Sequence, residues 1–274
     1  MPLFHAVAHL ARGQHIFDKR LIAPDGWLWQ AKAARIVTQN ESAMKVAIVE
    51  NTDVTHHGQI GVALHMAGAR IDVFKPWRDG TLPDMANHDA LVVFGGEQNA
   101  LNDGLHPYLP RLASLMCATA LAGQAVLGIC LGAQLLARGA GGKNQIGGAR
   151  EFGWCAVDLT DAARSDPVLS HLPSRFDSFQ WHSDHFTLPP AAVHLAGSAV
   201  AAHQCFRIGR AGYGMQFHFE ANRAVVADWS RSFPDLMASM DHTWHEDYNA
   251  RAQSQGTAAD AHGLAIAQAW VALI

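Results

Sequence analysis

Four short apolar runs, VAIVE, RIDVF, ALVVF and AVLGI, alternate with helix-length stretches between residues 46 and 129. This alternation restricts the fold more than any other feature of the chain. Strands separated by helices give parallel pairings, with a helix packed on each crossover. The third and fourth runs are continuously apolar, as strands buried on both faces must be. The spacing predicts helices over 57–67, ended by Gly68, over 107–121, and over 131–138, ended by Gly139. The expected class is therefore α/β, with an open, mostly parallel sheet flanked by helices.

Beyond Gly148 the pattern changes. WCAVDLT, DSFQWH, VHLAGS, HQCFRIG and GYGMQFHF are short strand candidates with turn residues between them, and helices are expected again near 222–231 and 258–274. Residues 1–43 have no clear period. They read as an N-terminal extension of uncertain role, ahead of a main domain over 44–274. A tail with its own partner and a translation start at Met44 are the alternatives; an extension without a catalytic role is preferred.

Composition removes several function classes. The 274-residue chain has a net charge of −4 and no Lys/Arg-rich run, so nucleic acid and anionic membranes are not expected partners. Residues 112–137 carry no formal charge, yet Gly123, Gln124, Gly128, Gly132 and Gln134 break the run into helix, turn, strand and helix rather than a membrane span. Cys117, Cys130, Cys155 and Cys205 show no CxxC spacing and read as reduced. No convincing signal peptide is present, and the expected location is cytoplasmic.

Cys130 stands out in G-I-C-L-G, residues 128–132, where the fourth strand gives way to a helix. A nucleophile at such a turn sits at the carboxyl edge of the sheet, where open α/β folds bind ligands. The turn is sharp, so its neighbours must be small, and the helix N-terminus beside the sulfur favours negative charge. A buried structural cysteine is the alternative, and the one preferred for the other three. In GYGMQFHFE, His218 and Glu220 are two residues apart, so on a strand they share one face. The carboxylate can then orient the imidazole toward sulfur. Gly95 and Gly96 follow the third strand, at the same sheet edge, where backbone N–H groups can approach a substrate.

Taken together, G-I-C-L-G-A-Q at 128–134, M-Q-F-H-F-E at 215–220 and F-G-G at 94–96 resemble the class I glutamine amidotransferase family, the cysteine-triad type, over about residues 45–225. FQWHSDHF at 179–186 is similar to a loop of stand-alone members related to the amidotransferase part of GMP synthase. The resemblance implies a flavodoxin-like sheet with a nucleophile elbow and a glutamine or γ-glutamyl amide as substrate. By the same resemblance Cys130 attacks the γ-carbonyl to form a γ-glutamyl thioester, His218 protonates the leaving amine and then activates water, and Glu220 orients His218. Gly96 and Leu131 supply the oxyanion N–H groups. Gly95, Gln134, Ser183 and Asp184 lie around the glutamyl substrate. No cofactor or metal is implied.

The sequence departs from the family at Phe219 and Glu97, where proline is common, which changes rigidity more than chemistry. No phosphate-binding P-loop occurs in it. Either a separate synthetase subunit takes the ammonia, or the enzyme is a free-standing hydrolase. A catalytically inactive binding or regulatory module on the same fold is the alternative function, and a stress-response or chaperone-like cysteine protein is a third; the intact Cys130, His218 and Glu220 set argues against both. DHTWHED at 241–247 and HSDH at 182–185 lack zinc spacing and read as solvated turns. Specificity is expected from loops 52–58, 97–106 and 143–153.

Overall fold

The computed structural model describes residues 43–274. The proposed extension lies, but for Ala43, outside the described residues. In chain order the elements are β1 (Lys45–Val49), α1 (Gly58–Met66), β2 (Arg70–Phe74), α2 (Pro76–Asp79), β3 (Ala90–Val93), α3 (Leu109–Leu121), β4 (Ala125–Ile129) and α4 (Leu131–Gly139). The second half holds β5 (Asn144–Gln145), β6 (Glu151–Leu159), β7 (Arg175–His182), β8 (His185–Phe186), β9 (Val193–Gly197), β10 (Cys205–Ile208) and β11 (Gly212–Met215). It closes with α5 (Arg223–Ser232), α6 (Pro234–Met240), α7 (Trp244–Arg251) and α8 (Thr257–Val271).

One nine-stranded open sheet runs β2-β1-β3-β4-β11-β10-β9-β6-β7. Strands β2, β1, β3, β4 and β11 are mutually parallel. From β11 onward the pairings are antiparallel. This is the expected open α/β sheet. The parallel strands carry continuous buried runs, with all four residues of β3 and all five of β4 buried. Each fully buried aliphatic side chain of this kind contributes roughly 1.5–3 kcal/mol.

Three apolar clusters organise the packing. One joins Ile48, Val92 and Leu127 to Ile60 of α1 and Ile266 and Trp270 of α8. On the opposite face Val49, Leu91 and Val93 pack with Leu112 and Met116 of α3 and Leu135 of α4. The third lies around α5–α7, where Trp229, Met237 and Trp244 meet Trp154 and Phe179 of the antiparallel half.

Residues 241–247, expected as a solvated turn, are a turn only up to Thr243. Pro234–Met240 form α6 and Trp244–Arg251 form α7, which holds His245. The ring of Trp244, fully buried, drives that packing: its centroid lies 4.8 Å from Phe152 and 5.6 Å from Trp154. A polar sequence hid a helix that packs through Trp244 and Tyr248. Among the described residues no helix is long and apolar enough to cross a membrane, and no group of three or more His, Cys, Asp or Glu side chains is arranged to hold a metal.

Candidate active site

The carboxyl ends of β1, β3, β4 and β11 share one sheet edge, because these strands are parallel. Cys130 follows β4 directly and is the N-cap of α4. Its φ of 52° and ψ of −108° make it the one non-glycine residue with positive φ among the described residues. Such a backbone costs on the order of 1–3 kcal/mol and persists only when its surroundings dictate it. Here the Cys130 N–H donates to Met215 O at 2.8 Å and its carbonyl accepts from Gln134 N at 3.1 Å. The flanking glycines are required by space: a Cβ on Gly128 would overlap Gly132 O, and one on Gly132 would overlap Val93 O. The side chain is lifted to the pocket, with Sγ 4.0 Å from Trp181 O. Leu131, at the first turn of α4, presents a backbone N–H with no intrahelical acceptor.

The segment 216–220 is not part of the last strand, as the sequence suggested. β11 stops at Met215 and the chain continues as an irregular extension. The main chain turns instead toward neighbouring strands: Gln216 N donates to Gln204 O and His218 N to Phe179 O, each at 2.8 Å. Phe217 and Phe219 are buried in the core, while His218 and Glu220 face the pocket. Glu220 O accepts from Gln59 N at 2.8 Å, and α8 lies so close that a Cβ on Gly263 would overlap Phe219 O. Phe219, where the family often has proline, is thus held by core packing.

His218 Nδ1 and Glu220 Oε1 are 2.7 Å apart, with the pair buried. Nε2, the other ring nitrogen, is not engaged by Glu220, and His218 and Cys130 line the same cavity. A Cβ on Gly95 would lie 3.3 Å from His218 Cε1 and 3.4 Å from Cys130 Cβ, so Gly95 seats both side chains. Burial pushes the imidazole toward neutrality, but the Glu220 carboxylate and the Cys130 sulfur outweigh it and raise the His218 pKa to about 10. The other thiols have different surroundings: burial raises Cys117, Cys155 (to about 11) and Cys205.

Gly95 and Gly96 line the pocket beyond β3. Their loop is fixed by Asn51, which the sequence reading did not single out. Buried at the end of β1, Asn51 donates through Nδ2 to Phe94 O at 2.8 Å and accepts from Tyr108 OH at 3.1 Å. Its carbonyl accepts from Gln98 Nε2 at 2.6 Å. A lone asparagine after a strand carries no sequence signal beyond a preference for turns.

Gln134 and Asp184 are placed differently from the expectation that they meet the substrate. Gln134 is buried and donates to Gln216 Oε1 at 3.2 Å and Asp184 O at 3.3 Å. The Asp184 carboxylate accepts from Gly147 N at 2.8 Å. Both side chains are occupied in holding the 182–184 loop, whereas Ser183 lines the pocket. Helix α4 turns Gln134 inward, one turn beyond Cys130.

The cavity over Cys130 measures about 270 Å³. Thr52, Val54, Thr55 and His56 line it from the β1–α1 loop, and Glu97 from the next loop. No residue of 143–153 does so among the described residues. The remaining wall was not foreseen: Trp181 together with Trp229, Phe233, Leu236 and Met240 of the α5–α6 region.

A family model described as glutamine amidotransferase class-I matches residues 48–225. The glutamine amidotransferase-like protein YfeJ of Salmonella typhimurium is 33% identical over 141 residues, 50% of this chain and 59% of that protein. The glutamine-hydrolyzing GMP synthase of Syntrophomonas wolfei is 31% identical over 166 residues, 58% of this chain and 30% of that protein. The matched part therefore spans less than two thirds of these relatives. In fold, the chain is similar to a glutamine amidotransferase crystal structure from Thermotoga maritima, with a TM-score of 0.70 at 22% identity, covering 84% of this chain and 96% of that one.

Proposed function

The chain belongs to the class I glutamine amidotransferase family, and from that premise we propose that it hydrolyses glutamine or a γ-glutamyl amide with Cys130, His218 and Glu220 as its catalytic residues. The observation that carries this reading is the meeting of a strained cysteine and a carboxylate-bound histidine beside Gly95.

In the proposed reaction Sγ adds to the γ-carbonyl carbon. The oxygen, now negative, is held by the N–H groups of Gly96 and Leu131, where charge develops only after attack. Collapse breaks the C–N bond, and the nitrogen leaves as ammonia or an amine with the proton of His218. Water then attacks the γ-glutamyl thioester while His218 accepts its proton. Glutamate is released and the thiol is restored. Glu220 keeps the imidazole in one orientation throughout. Ser183 meets the glutamyl head group, and Gln134 and Asp184 support it by fixing their loop.

The test is ammonia and glutamate release from glutamine and γ-glutamyl amides. Cys130→Ala should lower the rate by roughly 10⁴-fold or more, as loss of a nucleophile does, while the fold persists. A diazo-ketone analogue of glutamine should label Cys130. An undiminished rate in that variant would sink the reading. Rapid turnover by the isolated chain favours a free-standing hydrolase, and turnover that appears only with a synthetase subunit favours an ammonia-supplying one.

A further inference from the structure

We propose that the preferred substrate is a γ-glutamyl amide of an amine with an otherwise uncharged, apolar substituent, with an arylalkylamine fitting best. This rests on the reading of Cys130 and His218 given above. The departing nitrogen must receive its proton from His218 Nε2, since Nδ1 is taken by Glu220. Any substituent on that nitrogen therefore lies beside the His218 ring.

What lies beside that ring is an aromatic wall. Trp229 meets His218 edge-on, with centroids 5.4 Å apart. Trp181 continues the wall, 5.5 Å from Trp229, and Phe233 extends it, 5.9 Å from Trp181. Leu236 and Met240, one turn apart on α6, carry it to the rim. An ammonia leaving group would use none of this surface.

The wall is built before substrate arrives. Met237, next to the lining residue Leu236 on α6, is fully buried in the cluster of Trp154, Phe179 and Trp244. Holding α6 in this way removes the cost of ordering a lid on binding. The chemistry of the lining also selects the class. Among the described lining residues there is no Lys or Arg to meet a carboxylate on the amine portion, which disfavours γ-glutamyl amino acids. Trp181, Trp229, Phe233, Leu236 and Met240 offer no anion to a polyamine; the lining carboxylates lie apart from this wall, Glu220 on His218 Nδ1 and Glu97 on the loop after β3. Arylalkylamines satisfy this surface by stacking and area burial alone.

The experiment compares kcat/KM for γ-glutamylbenzylamide, γ-glutamylethylamide, γ-glutamylputrescine and glutamine on the intact chain. The first three release alkylamines, so leaving-group chemistry does not decide between them. The benzylamide should exceed the ethylamide at least tenfold. Phe233→Ala and Leu236→Ser should each cut that ratio at least threefold, with melting curves confirming folded protein; Leu236, 47% exposed, can be shortened without opening the core. A ratio near one, a ratio unmoved in both variants, or preference for the putrescine amide or glutamine would overturn the arylalkylamine proposal and leave the hydrolase reading standing. Absence of Cys130-dependent turnover of any of these compounds would overturn both.

Discussion

Glu220 Oε1 sits 2.7 Å from His218 Nδ1, and neither group has solvent enough to replace the other. A buried histidine on its own would be neutral. Beside this carboxylate and the Cys130 sulfur it keeps its proton to about pH 10, well above the ordinary value of 6.5. The consequence for stability has a definite sign. Below pH 6.5 the imidazole is charged in both folded and unfolded chains, and the pairing contributes in full. Between 6.5 and about 10 only the folded chain holds the proton, so the contribution falls as pH rises, and above about 10 it is gone.

Glu220→Gln should therefore lower the His218 pKa toward its ordinary value. Denaturant unfolding of the wild type should show stability declining from about pH 6.5 upward, with a shallower decline in the variant. The alkaline limb of kcat/KM should move to lower pH as well. An imidazole titration by NMR that is identical in both proteins would contradict the coupling.

Cys130 offers a test of stored backbone strain. Alanine at this position keeps the disfavoured φ of 52° and ψ of −108°, whereas glycine adopts it freely. Both variants should lose hydrolysis. Cys130→Gly should nevertheless be more stable than Cys130→Ala by about 1 kcal/mol or more, the reverse of the usual order for the two residues. Chemical denaturation of the two proteins measures the difference.

The parallel half of the fold was legible because its strands leave no alternative to burial. AVLGI became β4 without a shift of either end. The elbow was legible for a related reason: G-x-C-x-G is the residue pattern that the closeness of Gly128 to Gly132, and of Gly132 to Val93, demands. His218 and Glu220 pair as their spacing suggests, but not on a strand. Their common orientation comes from the bond of His218 N to Phe179 O, a long-range contact with no local signature. The aromatic wall has no local signature because Trp181 lies far in sequence from Trp229 and Phe233 and meets them only after β7 and the α5–α6 corner come together. Asn51 was hidden because its importance lies in three partners distant in sequence.

Asp166 should prove structural. It is nearly fully buried, accepts from Tyr213 OH at 3.0 and 3.1 Å, from Val168 N at 2.9 Å and from Arg207 Nε at 3.0 Å. Asp166→Ala strands these donors and should cost about 3–5 kcal/mol. Tyr213→Phe removes one hydroxyl and should cost about 1 kcal/mol. Neither should alter kcat of the folded fraction, since both groups are remote from the pocket lining. Calorimetry paired with initial rates separates the two effects.

Asn51 is the positioning residue on which the oxyanion site depends. Gly96 is confined between the Asn51 side chain and Gln98 Oε1, which a Cβ on Gly96 would meet. Asn51→Ala releases the Phe94 carbonyl and the Tyr108 hydroxyl together. The Gly96 N–H should then lose its aim at the developing oxyanion. Loss of one such donor lowers kcat by roughly 10²–10³-fold, while KM for the ground-state amide should change far less. Tyr108→Phe supplies the control: it keeps both remaining Asn51 bonds and should cost about 1 kcal/mol of stability with kcat nearly retained. If the two variants lose kcat equally, or if Asn51→Ala raises KM and spares kcat, Asn51 serves the fold and not the oxyanion.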